Sequence, residues 1–186
     1  MSILPRDFYA RDTVIVAKEL LGKNLVRLID NKIVSGVITE TEAYRYKDDP
    51  ASHAFVGMTE RNKAMFGEVG RAYVYFTYGM YHCFNVVARG HKFDAGAVLI
   101  RTMKPQKGIS EMMKNRNTNK ISNLTNGPGK LTQALQITKK HYGVDLARRT
   151  ELYITNGKII SAKIIAGRRI GIKTGIEKNW NFKIEI

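Results

Sequence analysis

The tyrosine-rich stretch at residues 73–88, which begins Tyr-Val-Tyr-Phe-Thr-Tyr-Gly-Met-Tyr, constrains the fold more than any other part of the sequence. Tyr73 and Tyr75 fall on one face at the period of a strand, and the alternation resumes beyond Gly79. Gly79 supplies the backbone freedom that a tight turn needs. The stretch therefore predicts a β-hairpin with Tyr78 at its tip.

The function of such a hairpin is open at this level. A bulky side chain at the tip can be driven between base pairs, whereas one on a flank lines a pocket or a core. Tyrosine is also a common residue of ordinary strands, so the same pattern fits a purely structural hairpin.

Charge narrows the choice of partner. Lys and Arg number 31 against 16 Asp and Glu, a formal net charge of +15 in 186 residues, which favours a polyanion such as nucleic acid or an acidic membrane. Membrane is the weaker choice, because residues 1–7 carry no apolar block and no apolar stretch approaches the roughly 18 residues that span a bilayer. We expect one compact domain over residues 1–186 in an intracellular protein, in the cytoplasm with the nucleoid or in a nucleus according to the host.

Cysteine and histidine exclude several kinds of site. Cys83 is the only cysteine, which rules out an intramolecular disulfide and a multi-cysteine metal site. Its apolar neighbours predict a buried thiol rather than a nucleophile. The histidines show no metal-ligand spacing and predict no histidine-rich metal centre; they are His53, His82, His91 and His141.

Periodicity predicts the remaining elements. Asp12 is a helix cap before an apolar stripe at residues 12–21, and the Asp30-Asn31 pair joins two strands. Pro128 begins a helix whose entry offers backbone N–H groups and Lys130 to a phosphate. The other predictions are strands at 24–28, 33–44, a central one at 96–103 that ends before Pro105, and at 152–155, 158–172 and 181–186, with short helices at 60–66 and 109–115.

Two carboxylates mark one strand as a candidate site. In Ile38-Thr-Glu-Thr-Glu-Ala-Tyr44, the strand period places Ile38, Glu40, Glu42 and Tyr44 on one face. A partly buried carboxylate beside another is able to take a proton from water near neutral pH. Two alternatives stay open, a solvated edge strand and a divalent-metal nuclease; the oxygen ligands of the latter would be Glu40, Glu42, Asp48 and Asp49.

Seven short motifs occur in an order that resembles the alkyladenine (3-methyladenine) DNA glycosylases. They are Glu40-Thr-Glu-Ala-Tyr44 with His53, Arg61-Asn-x-x-Met-Phe66, Tyr73-Val-Tyr75, Tyr78-Gly-Met-Tyr81, Asn85, Leu99-x-Arg101 and Gly127-Pro-x-Lys-Leu131. The resemblance runs from about residue 11 to about residue 147 and thins beyond. It implies an α+β fold, a single domain with a mostly antiparallel curved sheet, surrounding helices and a protruding β-hairpin.

The resemblance also implies an activity. A monofunctional enzyme of this family flips a damaged purine, of the 3-methyladenine, hypoxanthine or ethenoadenine class, out of duplex DNA and hydrolyses its N-glycosidic bond. Glu42 matches the general base and Arg101 a residue that holds the attacking water. Tyr44, His53 and Tyr75 match the walls that sandwich the flipped base.

The remaining matches concern selectivity and DNA binding. Asn85 matches a side chain that screens the purine edge, although it also suits a strand-end turn, and Leu99 is pocket lining or plain core. Tyr78 matches the intercalating residue, Met80 lies beside it, and Lys130 matches a phosphate contact. The resemblance implies a monomer, double-stranded DNA as partner, and no cofactor or metal.

Residues beyond 147 receive no DNA contact, and Tyr73 and Tyr81 are expected to be scaffold. A non-catalytic nucleic-acid-binding module remains an alternative, because charge and the hairpin suffice for it. The abundant lysines also leave a Schiff-base lyase step open, although the resemblance argues against it.

Overall fold

Eight strands form one curved antiparallel sheet in the computed structural model, which describes residues 1–77, 79–157 and 162–186. The strands of this described part are β1 (Asn24–Ile29), β2 (Lys32–Arg45), β3 (Ala72–Thr77), β4 (Tyr81–Val87), β5 (Gly96–Lys107), β6 (Leu152–Thr155), β7 (Ile165–Gly167) and β8 (Asn181–Lys183). The helices are α1 (Arg6–Tyr9), α2 (Thr13–Glu19), α3 (Ile109–Arg116) and α4 (Pro128–Ala134). Single 3-10 turns lie at His53–Val56, Lys63–Phe66, Ile121–Asn123 and Lys139–His141.

The long strand β2 organises the sheet. The strands follow the order β3-β4-β5-β2-β1-β6, so β5 is central as predicted. One edge of β2 pairs with β5. Along its other edge, the first half of β2 pairs with β1, and the second half pairs with β8 at Glu40, Thr41 and Glu42. A short C-terminal strand therefore lies against the carboxylate-bearing part of β2.

Helices α2, α3 and α4 cover the sheet around the main core. Asp12 caps α2 by accepting hydrogen bonds from the backbone N–H groups of Val14 (2.9 Å) and Ile15 (3.3 Å), as its position predicted. Fully buried side chains from helices and sheet meet in this core; they include Leu20, Ile38, Phe84, Ile100, Met112 and Leu131. The α+β class is confirmed.

The turn between β1 and β2 is the one that its residues predicted. Asp30 and Asn31 both have positive φ, 47° and 62°. Positive φ at both central residues defines the two-residue hairpin turn whose twist matches the strands it joins. This turn sets the register in which Ile29 pairs with Lys32.

The strand period predicted that Ile38 shares one face of β2 with Glu40 and Glu42. This prediction is correct for the two glutamates and wrong for Ile38. A β-bulge between Ile38 and Glu40 inserts an extra residue opposite β5 and resets the alternation. Ile38 consequently packs in the main core with Ala43, whereas Glu42 and Tyr44 face a cleft. The strand period could not foresee this, because a bulge depends on the partner strand.

Strand β5 runs further than predicted. It continues through Pro105 to Lys107, and Pro105 pairs with Gly36 where the register shifts between Ser35 and Gly36. Proline lacks the N–H that a regular ladder requires, and such an irregularity is where a strand tolerates it. The same bulged region brings the backbones so close that a Cβ on Gly36 would lie 2.5 Å from the Lys104 carbonyl oxygen.

The β3–β4 hairpin is confirmed, and it protrudes. Tyr73 pairs with Asn85 and Tyr75 with Cys83, and Gly79 takes a φ of 65° in the turn. The exposed side chains near its end include Phe76 and Met80. The predicted tip residue Tyr78 lies outside the described residues.

Helix α4 begins at Pro128 as predicted and packs beside the hairpin. A Cβ on Gly129 would lie 2.9 Å from the ring of Tyr81, so this position requires glycine. The close approach fixes the helix entry against β4. Tyr81, expected as scaffold, is half-exposed and contributes this contact.

The C-terminal part is less regular than its alternating sequence suggested. Of the strand predicted over residues 158–172, residues 158–161 lie outside the described part, and only Ile165–Gly167 of the rest is a strand. The strand predicted over 181–186 ends at Lys183. No helix in the described part of the chain is both long and apolar enough to cross a membrane.

Candidate active site

A cleft of about 350 Å³ opens between the hairpin, strands β2 and β5, and the segment that follows β7. All seven residues predicted for catalysis and base binding line it: Glu42, Tyr44, His53, Tyr75, Asn85, Leu99 and Arg101. Its volume lies within the range of small-molecule sites, roughly 300–1,000 Å³. The structure thus brings together residues that lie up to 59 positions apart in the chain.

Glu42 is fully buried in the wall of this cleft and is surrounded by donors. Its Oε2 accepts hydrogen bonds from the Tyr44 hydroxyl (2.8 Å) and from Nη1 of Arg101 (3.4 Å). Its Oε1 accepts from the backbone N–H of Ile170 (2.8 Å) and from Nδ2 of Asn181 (3.0 Å). These four donors compensate for the removal of a negative charge from water.

Glu40 shares two of those donors. Its Oε1 accepts hydrogen bonds from Nε of Arg101 (3.1 Å) and Nδ2 of Asn181 (2.7 Å). Arg101 on β5 and Asn181 on β8 therefore each bridge the two carboxylates of β2 from opposite sides of the strand. The solvated edge strand is contradicted, because Glu42 is buried and Glu40 only slightly exposed.

Tyr44 lies beside Glu42 and is itself fixed from behind. Burial, and then the negative charge of Glu42, raise the pKa of the Tyr44 phenol far above its ordinary value. The hydroxyl therefore stays protonated and donates to the carboxylate. The guanidinium of Arg169 lies over the Tyr44 ring, 4.8 Å from its centroid.

Three aromatic rings form the wall next to the hairpin. The rings of His53 and Tyr75 meet edge to face with centroids 4.7 Å apart, and Nδ1 of His53 lies 3.0 Å from the Tyr73 hydroxyl. Desolvation and the nearby charge of Arg61 lower the pKa of His53, so its ring is neutral at pH 7. Tyr73, expected to be scaffold, is buried but also lines the cleft and contacts His53.

Asn85, Leu99 and Cys83 also line the cleft and are buried. Asn85 is in the interior of β4 and donates from Nδ2 to the Tyr73 carbonyl (3.1 Å), so the strand-end turn alternative is wrong. Burial raises the pKa of the Cys83 thiol, which supports the prediction that it is not a nucleophile.

In the nuclease alternative, Asp48 and Asp49 would join Glu40 and Glu42, but each of these two aspartates pairs with an arginine that contacts neither glutamate. Asp48 pairs with Arg45, whose hydrogen bonds lower the pKa of that carboxyl. Asp49 pairs with Arg169 through Oδ2–Nη1 (2.5 Å) and Oδ1–Nη2 (2.7 Å). Among the described residues, no three His, Cys, Asp or Glu side chains are grouped so that they could hold a metal ion.

Two of the three predicted DNA-binding residues lie in the described part of the chain. Met80 is exposed in the hairpin turn, and it lines a separate groove between the hairpin and α4 rather than the cleft. Lys130 lies on α4, and its Nζ donates to the Oδ1 atoms of Asn123 (2.5 Å) and Asn126 (2.9 Å). Tyr78 cannot be located, because it lies outside the described residues.

Sequence reasoning missed the contribution of the C-terminal segment. Arg169, Ile170 and Asn181 all contact the Glu42 neighbourhood, although no role followed from their positions. The one available signal was the pair of motifs Arg169-Ile-Gly171 and Trp180-Asn-Phe182, which resemble the family only loosely.

Comparison with known proteins gives a match over nearly the whole chain. A family model described as methylpurine-DNA glycosylase matches residues 7–186, well beyond the stretch of about 11–147 over which the sequence resemblance runs. A relative from Carboxydothermus hydrogenoformans is 48% identical, over 98% of this chain and 95% of its own. A relative from Clostridium acetobutylicum is 44% identical over 98% of this chain and 94% of its own. One from Methanocella arvoryzae is 45% identical over 98% of this chain and 92% of its own. All three carry the name "Putative 3-methyladenine DNA glycosylase".

Proposed function

The chain belongs to the methylpurine-DNA glycosylase family, a family of DNA repair hydrolases, and on that premise we propose that Glu42 activates the water that hydrolyses the N-glycosidic bond of a flipped purine. The observation that carries this proposal is a buried carboxylate, held by four donors, in the wall of a base-sized cleft. The products are a free base and an abasic site in duplex DNA.

The hydrogen bonds that the Glu42 carboxylate already accepts indicate where the attacking water would bind. A carboxylate has about four lone-pair positions, and four donors meet Glu42. The longest of these contacts is to Arg101, 3.4 Å from Oε2. A water that enters between Arg101 and Oε2 would give its proton to Glu42 as its oxygen bonds to the anomeric carbon, while the C–N electrons leave with the base.

The aromatic residues account for recognition of the base. Tyr44, His53 and Tyr75 offer faces and edges on which a purine stacks, worth roughly 1–3 kcal/mol per base. The neutral ring of His53 matters because an imidazolium would repel a positively charged methylpurine. Stacking tolerates many purines, so hypoxanthine and ethenoadenine belong to the proposed substrate range beside 3-methyladenine.

Asn85 is proposed to read the purine edge within that range, and Leu99 to complete the apolar lining. The Asn85 amide is fixed by its hydrogen bond to Tyr73, which leaves its other groups in a defined orientation. A base that presents a donor where Asn85 also presents one leaves both unpaired, and unpaired buried donors are costly.

The net charge of +15 supports sequence-independent binding to duplex DNA. We assign Tyr78 to the space that the flipped nucleotide vacates and Met80 to a neighbouring contact in the groove. Lys130 donates two N–H groups to asparagines and has a third for a phosphate. We propose that the protein acts as a monomer inside the cell.

Base release in the presence of a chelator tests this function. We expect the purified protein with EDTA to release 3-methyladenine, hypoxanthine or ethenoadenine from duplex DNA and to leave an alkali-labile site. Strand cleavage without alkali, abolished by EDTA, would instead support a metal-dependent nuclease. Binding without release of any of these bases would support a non-catalytic module, and a product trapped by borohydride would reveal a lyase step.

The salt dependence of binding tests Lys130. Replacing Lys130 with Ala is expected to lower the slope of log K against log salt by about 0.9, since one phosphate contact releases about that many counterions. Lys32→Ala is the matched control, because Lys32 begins the strand that carries Glu42 and lies about 33 Å from it along β2. A slope unchanged by Lys130→Ala would remove Lys130 from the phosphate contacts.

A further inference from the structure

Asn181 is the one residue of β8 that reaches both carboxylates of the site. It lies opposite Glu42 in the β2–β8 pairing. Its single amide nitrogen donates one hydrogen bond to Oε1 of Glu40 (2.7 Å) and one to Oε1 of Glu42 (3.0 Å). The residue is 5% exposed and belongs to the wall behind the cleft rather than to its lining.

The two oxygens of the Glu42 carboxylate accept hydrogen bonds from different groups. Oε2 contacts Tyr44 and Arg101, which line the cleft. Oε1 contacts the backbone N–H of Ile170, a residue that also lines the cleft, and the side chain of Asn181, which does not. Because both cleft-lining side chains that reach Glu42 contact Oε2, we expect Oε2 to be the oxygen that meets substrate and water.

The charges around the pair explain why a neutral donor is needed there. Glu40 and Glu42 lie side by side, with Arg101 of β5 the cation that contacts both. Other titratable groups around the cleft are Tyr44 of β2, Cys83 of β4, Arg169 and Lys173 after β7, and His53. Neighbouring like charges in general favour protonation of one partner, and donors to the charged form oppose it. An amide supplies two such donors without adding charge.

We propose that Asn181 is a positioning residue that holds Glu42 beside Glu40 and directs its Oε2 toward the attacking water. The proposal rests on the function proposed for Glu42. It assigns to the C-terminal strand a role in catalysis rather than in DNA binding.

The test is the pH profile of single-turnover release of 3-methyladenine from a duplex. In DNA this base already carries a positive charge, so it leaves without protonation, and the acid side of the profile reports the general base. For Asn181→Ala we expect a rate about 10-fold lower on the acid side of the profile, as for the loss of a hydrogen bond to a charged group. The half-maximal point should move about one pH unit higher, with recovery at alkaline pH.

Asn181→Asp keeps the shape of the side chain and replaces the donors by a third carboxylate, so its profile should move further in the same direction. Asn181→Ser, which keeps one donor, should fall between the wild type and Asn181→Ala and serves if the alanine variant does not fold. Asn156→Ala, the same truncation at an exposed site remote from the cleft, should retain the wild-type profile. Affinity for lesion DNA should change less than twofold in every variant.

A rate that falls equally at every pH, or an unshifted profile in both Asn181→Ala and Asn181→Asp, would overturn the proposal. Such a result with an active wild type and an inactive Glu42→Gln variant would leave the proposed function intact. Full activity of Glu42→Gln would instead overturn the proposed function and this inference with it.

Discussion

Replacing Glu42 with Gln is expected to reduce base release by about 10²- to 10⁴-fold, the usual contribution of a general base. Gln has nearly the same shape, so the contacts on both carboxylate oxygens keep their geometry in part, but an amide does not accept a proton from water. Binding of lesion DNA should persist, because the stacking rings and the basic surface are unchanged. Single-turnover release and equilibrium binding measured on one duplex give the two quantities.

Glu177→Gln is the matched control, because Glu177 is exposed and the change removes the same charge. It should leave the release rate within experimental error. Undiminished release by Glu42→Gln would show that the base is misassigned. Equal losses of binding and release would mean that Glu42 acts through the fold of the cleft rather than through proton transfer.

The second large effect concerns stability. Asp49 and Arg169 form an ion pair in which both side chains are 0% exposed. Removing one partner leaves an unpaired charge in the interior, so Asp49→Ala should lower the free energy of unfolding by about 3–5 kcal/mol. For a chain of this size that corresponds to a melting temperature lower by roughly 6–20 °C.

Two control variants separate the effect of burying the ion pair from the effect of removing one negative charge. Asp48→Ala removes the neighbouring carboxylate, which is 43% exposed, and should cost less than about 1 kcal/mol. The double variant Asp49→Leu with Arg169→Met should recover much of the loss, because an apolar pair no longer buries a lone charge. A melting temperature of Asp49→Ala equal to that of Asp48→Ala would show that the pair adds nothing to stability.

This ion pair also connects stability with the site. Arg169 donates to the Ala43 carbonyl (2.9 Å) and lies over the rings of Tyr44 and Trp180. Loss of Asp49 therefore loosens the support behind Tyr44, the donor to Glu42. In Asp49→Ala we expect slower base release even at temperatures where the protein remains folded.

Much of the local structure followed from the sequence because it depends on neighbouring residues. The Asp30-Asn31 turn, the Asp12 cap, the β3–β4 hairpin and the helix start at Pro128 each need only a few adjacent side chains. The errors have a common origin in the partner strand. The bulge beside Ile38 and the continuation of β5 through Pro105 both depend on how β2 and β5 meet.

The candidate site divides in the same way. The sequence by itself determined the kinds of chemistry present: paired carboxylates on one strand, aromatic rings at strand spacing, and an excess of positive charge. Only the tertiary structure decided that Asn181, 139 positions from Glu42, donates to both Glu40 and Glu42. The same is true of the ion pair between Arg169 and Asp49. The physical reason is that alternation along β8 shows which way a side chain points, whereas its pairing with β2 is a long-range contact that no local pattern records.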